Sequence, residues 1–206
     1  MARTDIDGAP AKDEGLRERK RRATLQRIAE TGLQLFLTHG YERTTLDAIA
    51  AEAGISRRTF FSYFKSKEDI LLTWQSGTWD ALRADLLKES PDQTPLDAVC
   101  KLMVKHVSRF ESEQLFAIDR LMRSTEALRT LKQAGYGVQE QALYTSMCEV
   151  WRQPERHPGL RLVAMAAVGA MRVALEACCN QTGDRPAAKF LEETFETLKS
   201  EIRFSA

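Results

Sequence analysis

Apolar residues recur along this chain at steps of three and four, and hardly anywhere alternate, which is the spacing of helices rather than strands. Over residues 17–39 the apolar positions Leu25, Ile28, Ala29, Gly32, Leu33 and Phe36 fall on one face of a helix of about six turns, and Gly40 follows as its stop signal. Thr44 and Thr45 precede LDAIAAEAG, where a hydroxyl caps free amides and Leu46, Ile49 and Ala50 form a buried stripe that ends at Gly54. Ser56 caps the next segment, RRTFFSYF. Ser66 caps a longer helix from Lys67, with Glu68 and Asp69 in its first turn, running to about Ser90 before Pro91.

Beyond the PDQTP linker the helical spacing returns over residues 96–110 and 115–122, then over 128–151 with Gly135 and Gly137 as an interruption. Pro154 and Pro158 bound a short loop, and helices over about 160–180 and 187–204 complete the chain. Asp7-Gly8 lies in a polar tail, and no Asn-Gly or Asp-Gly turn is flanked by alternating apolar residues. The expected fold is all-α, with nine or ten helices and no internal repeat.

Charge changes the picture by its placement. The 206 residues carry 30 basic and 29 acidic side chains, a formal +1, which excludes a polycation that binds nucleic acid merely by being basic. Yet RERKRRATLQR, residues 17–27, holds six basic and one acidic side chain, a local +5, whereas residues 73–206 hold 17 basic against 18 acidic. The longest uncharged apolar stretch, residues 162–171, is about half of what a membrane-spanning helix needs, and the N-terminal residues lack the apolar run of a secretory signal. No membrane segment and a cytoplasmic location are therefore expected. Cys100, Cys148, Cys178 and Cys179 form no CxxC pair, and His39, His106 and His157 lie far apart, so neither a disulfide framework, a metal site nor a cofactor is expected. The neighbouring Cys178 and Cys179 point about 100° apart on a helix and cannot bond to each other.

Residues 44–71, TTLDAIAAEAGISRRTFFSYFKSKEDIL, read as two short capped helices joined at Gly54, a helix-turn-helix whose second helix enters the major groove. Ser56, Arg57, Arg58, Thr59 and Ser62 face outward on this reading, while Ile55, Phe60 and Phe64 pack against Leu46, Ile49 and Phe36. That division suits a recognition helix.

The pattern GxSxxTFFxYFxSKEDIL, after a helix ending LFLTHGYERTTLDAIA, is similar to the DNA-binding domain of TetR-family repressors over about residues 19–71. Phe36, Gly40, Thr44, Thr45, Ile49, Ala50, Gly54, Ser56, Phe64, Lys67 and Glu68 carry the resemblance. It implies that Thr45, Ser56 and Lys67 bind phosphates, and that Arg57 and Arg58 reach base edges or flanking phosphates, with Thr59 and Ser62 as secondary contacts. Phe61 stands where the family usually has a phosphate-binding tyrosine, so Tyr63 is the candidate substitute. Arg58 replaces the usual small residue. Arg19, Lys20, Arg21 and Arg22 directly precede the motif and suit phosphate or minor-groove contacts.

The resemblance further divides the chain into an N-terminal arm (1–16), a DNA-binding domain (17–66) and a helical regulatory and dimerisation domain (67–206). Small residues at Ala164, Ala167, Gly169, Ala170 and Ala174 permit close helix approach, and Leu191, Phe195, Leu198 and Ile202 share a face of the last helix. From spacing alone these describe either an intramolecular helix pair or, as the resemblance implies, a homodimer interface. The resemblance also implies an effector pocket, for which Met103, Phe110, Phe116, Met122, Tyr144, Met147, Trp151 and Met165 supply apolar walls. RLMRSTEALRTL and the apolar segment after it are similar to TetR-type regulators with acyl-type ligands. The leading expectation is thus a ligand-responsive, non-enzymatic repressor with duplex DNA, a second copy and a small apolar effector as partners. A regulator governed by a protein partner and a helical enzyme are the alternatives, and the second lacks any nucleophile, metal or phosphate-loop motif.

Overall fold

The structure, a computed structural model, describes residues 11–180 and 185–203, which are helical with no strand among them. The helices are α1 (Ala11–His39), α2 (Leu46–Glu52), α3 (Arg57–Phe61), α4 (Lys67–Leu86), α5 (Pro95–Val107), α6 (Ser112–Arg123), α7 (Glu126–Val150), α8 (His157–Cys179) and α9 (Ala187–Arg203), with a single 3-10 turn at Pro154–Arg156. The chain divides into two units, up to Gln75 and from Ser76 onward.

Helix starts follow the hydroxyl caps. Thr45 accepts from the Ala48 amide at 3.1 Å, Ser56 from Thr59 at 3.1 Å, Ser66 from Asp69 at 3.1 Å, and Thr125 from Leu128 at 3.2 Å. Helix ends depart more from the spacing. α1 already begins at Ala11, six residues before the start expected at residue 17, so residues 11–16 are helix; the rest of the expected N-terminal arm, residues 1–10, lies outside the described residues. α4 stops at Leu86, where the Lys88 and Glu89 amides turn to the Asp85 and Leu86 carbonyls. Gly135 and Gly137 do not interrupt α7, whose buried face of Leu128, Tyr136, Leu143 and Met147 holds it as one helix.

In the first unit Ile28, Leu33 and Phe36 of α1 are buried, as are Ile49, Phe60, Phe64, Ile70 and Leu71. Gly32 is required there. A Cβ at that position would lie 2.6 Å from Ile70 Cγ2. Gly40 and Gly54, at φ of 88° and 65°, take the left-handed backbone that lets α1 and α2 end abruptly. Arg27 of α1 donates to the Ala53 carbonyl at 2.6 Å, tying α1 to the end of α2.

The second unit is built on α5, α7, α8 and α9, with Val99, Leu102, Met103, Leu143, Met147, Trp151, Ala164, Ala167, Leu191 and Phe195 in one core cluster. Among its buried polar groups, Asp119 binds Lys132 at 2.5 Å and Arg123 at 2.7 Å, and Ser146 accepts from Arg83 Nε at 2.9 Å, whereas Gln139 Oε1 is buried with no partner among the described residues. Contrary to the reading of the uncharged stretch, the segment Pro154–Cys179 is by length and composition alone apolar enough to cross a membrane, because a spanning helix tolerates the flanking Arg161 and Arg172. One face of it, through Leu160, Ala164, Ala167, Ala170, Ala174 and Cys178, is buried as a core helix of the bundle.

Candidate nucleic-acid interface

α2 and α3 are short, and their geometry comes from the turn at Gly54 and the buried Phe60 rather than from length. Phe60 is buried, while the N-cap Ser56 and the first-turn residues Arg57, Arg58 and Thr59 are all exposed. Their hydroxyls are linked. Ser56 Oγ and Thr59 Oγ1 lie 2.8 Å apart, and Ser62 Oγ donates to the Thr59 carbonyl at 2.6 Å.

The structure gives several of the expected contact residues protein partners that sequence spacing did not reveal. Arg57 Nη1 pairs with Asp47 Oδ2 of α2 at 3.1 Å, and its guanidinium lies 5.4 Å from the Phe61 ring centre. Lys67 Nζ donates to the Tyr41 carbonyl at 2.7 Å and stands 4.2 Å from the centre of that ring. Tyr63 is half-buried beneath Arg21 of α1, 5.8 Å away. Arg19, Lys20, Arg21 and Arg22 are all exposed on α1.

Tyr41 and Glu68 were missed as working residues. The Tyr41 hydroxyl donates to Glu68 Oε1 at 2.6 Å, bridging the α1–α2 connection to the first turn of α4. Burial, reinforced by Glu68, raises the Tyr41 pKa, while the bond from Tyr41 lowers that of Glu68. A buried tyrosine needs a partner for its hydroxyl, and that need was the available signal.

Residues 23–73 match the model of the bacterial regulatory proteins of the tetR family. Along with them, the HTH-type transcriptional regulator TcmR of Streptomyces glaucescens is 36% identical over 105 residues. Residues 23–73 thus belong to the tetR family of bacterial regulatory proteins. The TcmR match covers 51% of this chain and 46% of that regulator. The uncharacterised HTH-type regulator YerO of Bacillus subtilis is 46% identical over 48 residues, 23% of this chain and 17% of YerO. The chain therefore spans less than half the length of these curated relatives. Solved structures share the TetR fold over most of the chain. A regulator from Aquifex aeolicus covers 86% of this chain and 98% of its own, at 21% identity and a TM-score of 0.55. Thermus thermophilus FadR, a TetR-family repressor solved with lauroyl-CoA, covers 85% and 93% at 22% identity and a TM-score of 0.51.

The remaining candidate residues lie in the second unit. Met103, Met147 and Trp151 belong to its core cluster, with Phe116 and Tyr144 packed against it. Trp151 Nε1 donates to the carbonyls of Pro91 and Gln93 at 3.0 and 3.3 Å, so this ring also anchors the α4–α5 loop. Met122 is buried on α6 and Phe110 half-buried after α5. Met165 is 46% exposed: one residue along α8 from the buried Ala164, it is turned about 100° away from the core. Ala167, Ala174, Leu191 and Phe195 are buried within the chain where α8 and α9 pack together, Leu198 lies against the same cluster, and Ile202 is exposed. The exposed apolar face of α8 is instead Leu162, Met165 and Val173.

Proposed function

We propose that this chain is a DNA-binding transcriptional regulator that acts as a homodimer on a palindromic operator and is released by a small apolar, acyl-type effector. The observation that carries the DNA-reading part is the outward row of Ser56, Arg57, Arg58 and Thr59 on α3, beside the exposed cations of α1. Arginine at such a helix pairs bidentately with guanine O6 and N7. Arg19 to Arg22, Thr45, Ser56 and Lys67 supply the phosphate contacts on this reading, and Thr59, Ser62 and Tyr63 flank them. Lys67 has three N–H donors, so the bond to Tyr41 leaves it able to hold a phosphate.

Dimerisation is assigned to Leu162, Met165 and Val173 of α8 together with Ile202 of α9, because these apolar side chains remain exposed after the chain has folded. A two-fold pair of heads spaced about 34 Å apart reads two half-sites on one face of the duplex. The effector reading rests on the apolar second unit and on lauroyl-CoA in the T. thermophilus relative. Release then requires that the effector bind the DNA-incompetent state more tightly than the competent one. Such a regulator works in the cytoplasm and catalyses no reaction.

Selection of bound sequences from random duplex DNA, at a stated salt concentration, tests the central reading. A palindromic consensus is the expected result, and recovery of no consensus would overturn it.

A further inference from the structure

Phe61 departs from the tyrosine usual at its position and, lacking a hydroxyl, offers no hydrogen bond to a phosphate. The structure gives it a different occupation. Phe61 follows Arg57 by four residues, so the two share one face of α3, and the Arg57 guanidinium lies 5.4 Å from the Phe61 ring centre. Phe61 in turn meets the fully buried Phe60 edge-on, with ring centres 5.6 Å apart and planes at 85°. The platform under Arg57 is thus anchored in the core. From the other side Asp47, in the first turn of α2, takes Arg57 Nη1 at 3.1 Å.

We infer that Asp47 and Phe61 are specificity-determining residues of the reading head, acting through Arg57. The inference rests on the DNA-reading function proposed above and names how one of its contacts is made selective. A guanidinium has five N–H donors in one plane. Asp47 engages one nitrogen and Phe61 lies beside the guanidinium, which leaves the remaining donors for the paired acceptors of a guanine edge. An arginine free in solution explores many rotamers and also pairs with any phosphate within reach. Held by a carboxylate and a ring, it loses less freedom on docking and is kept from the backbone.

Burial decides what the pair does. The Arg57 and Asp47 side chains are 71% and 54% exposed, so in the free protein the ion pair adds little to stability. Its effect comes when DNA covers it and water leaves, where a charge-assisted bond orients as well as attracts. Asp47 itself carries the wrong sign for phosphate. A carboxylate on a DNA-facing surface lowers affinity for every sequence alike; in the first turn of α2 it also favours that helix's N-terminus, and on this inference it adds discrimination.

The test uses the full chain and its Asp47→Asn, Phe61→Leu and Arg57→Ala variants, with circular dichroism and thermal midpoints to verify folding. Each is taken through selection from random duplex DNA, and affinities are then measured for the consensus and its three substitutions at each position. Arg57→Ala is expected to flatten the preference at one base pair of each half-site by roughly five- to hundredfold. Asp47→Asn and Phe61→Leu should relax the same base pair by roughly fivefold or more, and should change it little further when combined with Arg57→Ala. If Asp47→Asn raises affinity for all sequences equally and leaves that ranking intact, Asp47 acts only as a repelling charge and the inference fails. It fails too if Arg57→Ala leaves every position's ranking unchanged while the wild type selects a palindrome. Recovery of no sequence by the wild type defeats instead the DNA-reading function beneath it. Because Asp47→Asn and Phe61→Leu attack the arrangement from opposite sides, loss of folding in one leaves the other to decide.

Discussion

Gly32 lies where α1 passes closely over the side chain of Ile70. An added methyl group would stand 2.6 Å from Ile70 Cγ2, a branch on a fully buried side chain with little room to turn. Alanine favours helix by up to about 1 kcal/mol over glycine, but overpacking of this kind costs about 1–3 kcal/mol. Gly32→Ala is therefore expected to lower stability by up to about 2 kcal/mol, read from denaturant unfolding, and a stabilised variant would contradict the packing described. Lys67 makes a different kind of prediction. If it holds a phosphate, Lys67→Ala lowers affinity for all sequences alike and flattens the slope of log affinity against log salt by about 0.9. An unchanged slope would limit Lys67 to its bond with Tyr41. The exposed row of α3 was legible because Ser56 marks where the helix starts and the residues of its first turn are polar. The pairing of Arg57 with Asp47 was not, since it joins different helices across a turn and spacing along the chain carries no distance between them.

Between α4 and α5 a polar cluster lies against the bundle. Asp85 Oδ2 accepts from Lys105 at 2.9 Å and lies 3.2 Å from His106 Nε2, while Asp85 Oδ1 accepts from Lys88 at 3.1 Å. Lys105, Lys88 and His106 together hold the Asp85 carboxyl well below the usual carboxylate range. Burial lowers the His106 pKa, against the opposing pull of Asp85, and Arg109 beside it acts in the same direction as burial. The folded chain thus holds the His106 proton less tightly than the unfolded chain does. Its contribution to stability is full above the ordinary histidine pKa of 6.5 and is lost as pH falls through that value toward the folded one. The thermal midpoint should fall between about pH 7.5 and about pH 5.5, and should fall less in His106→Gln. Equal losses would remove His106 from the cause. At this scale the helices were readable from hydroxyl caps, as at Thr45 and Thr125, because a cap is a local event. The continuity of α7 through Gly135 and Gly137 was not, because packing along its buried face outweighs the glycines.

Across the whole molecule the question is which apolar surface remains after folding. The small residues of α8 were legible as a contact stripe, but periodicity names a face and not the helix that covers it; here α9 of the same chain does. On α8 itself Leu162, Met165 and Val173 stay uncovered, at 66%, 46% and 56% exposure. Val173→Glu is expected to leave the helical signal intact and to convert a dimer into monomers in light scattering, with loss of operator binding at the same protein concentration. A dimer that survives Val173→Glu and Leu162→Glu together would place the interface elsewhere.

The same helix bears on how the chain is made. Synthesis runs from the N-terminus, so α8 leaves the ribosome before α9 exists to cover Ala164, Ala167 and Ala174. During that interval the nascent polypeptide displays a segment whose length and apolarity suit a bilayer. That interval ends when the seventeen-residue α9 arrives. A stop codon just before Ala187 would make that interval permanent, giving a product that aggregates or sediments with lipid although its reading head is complete.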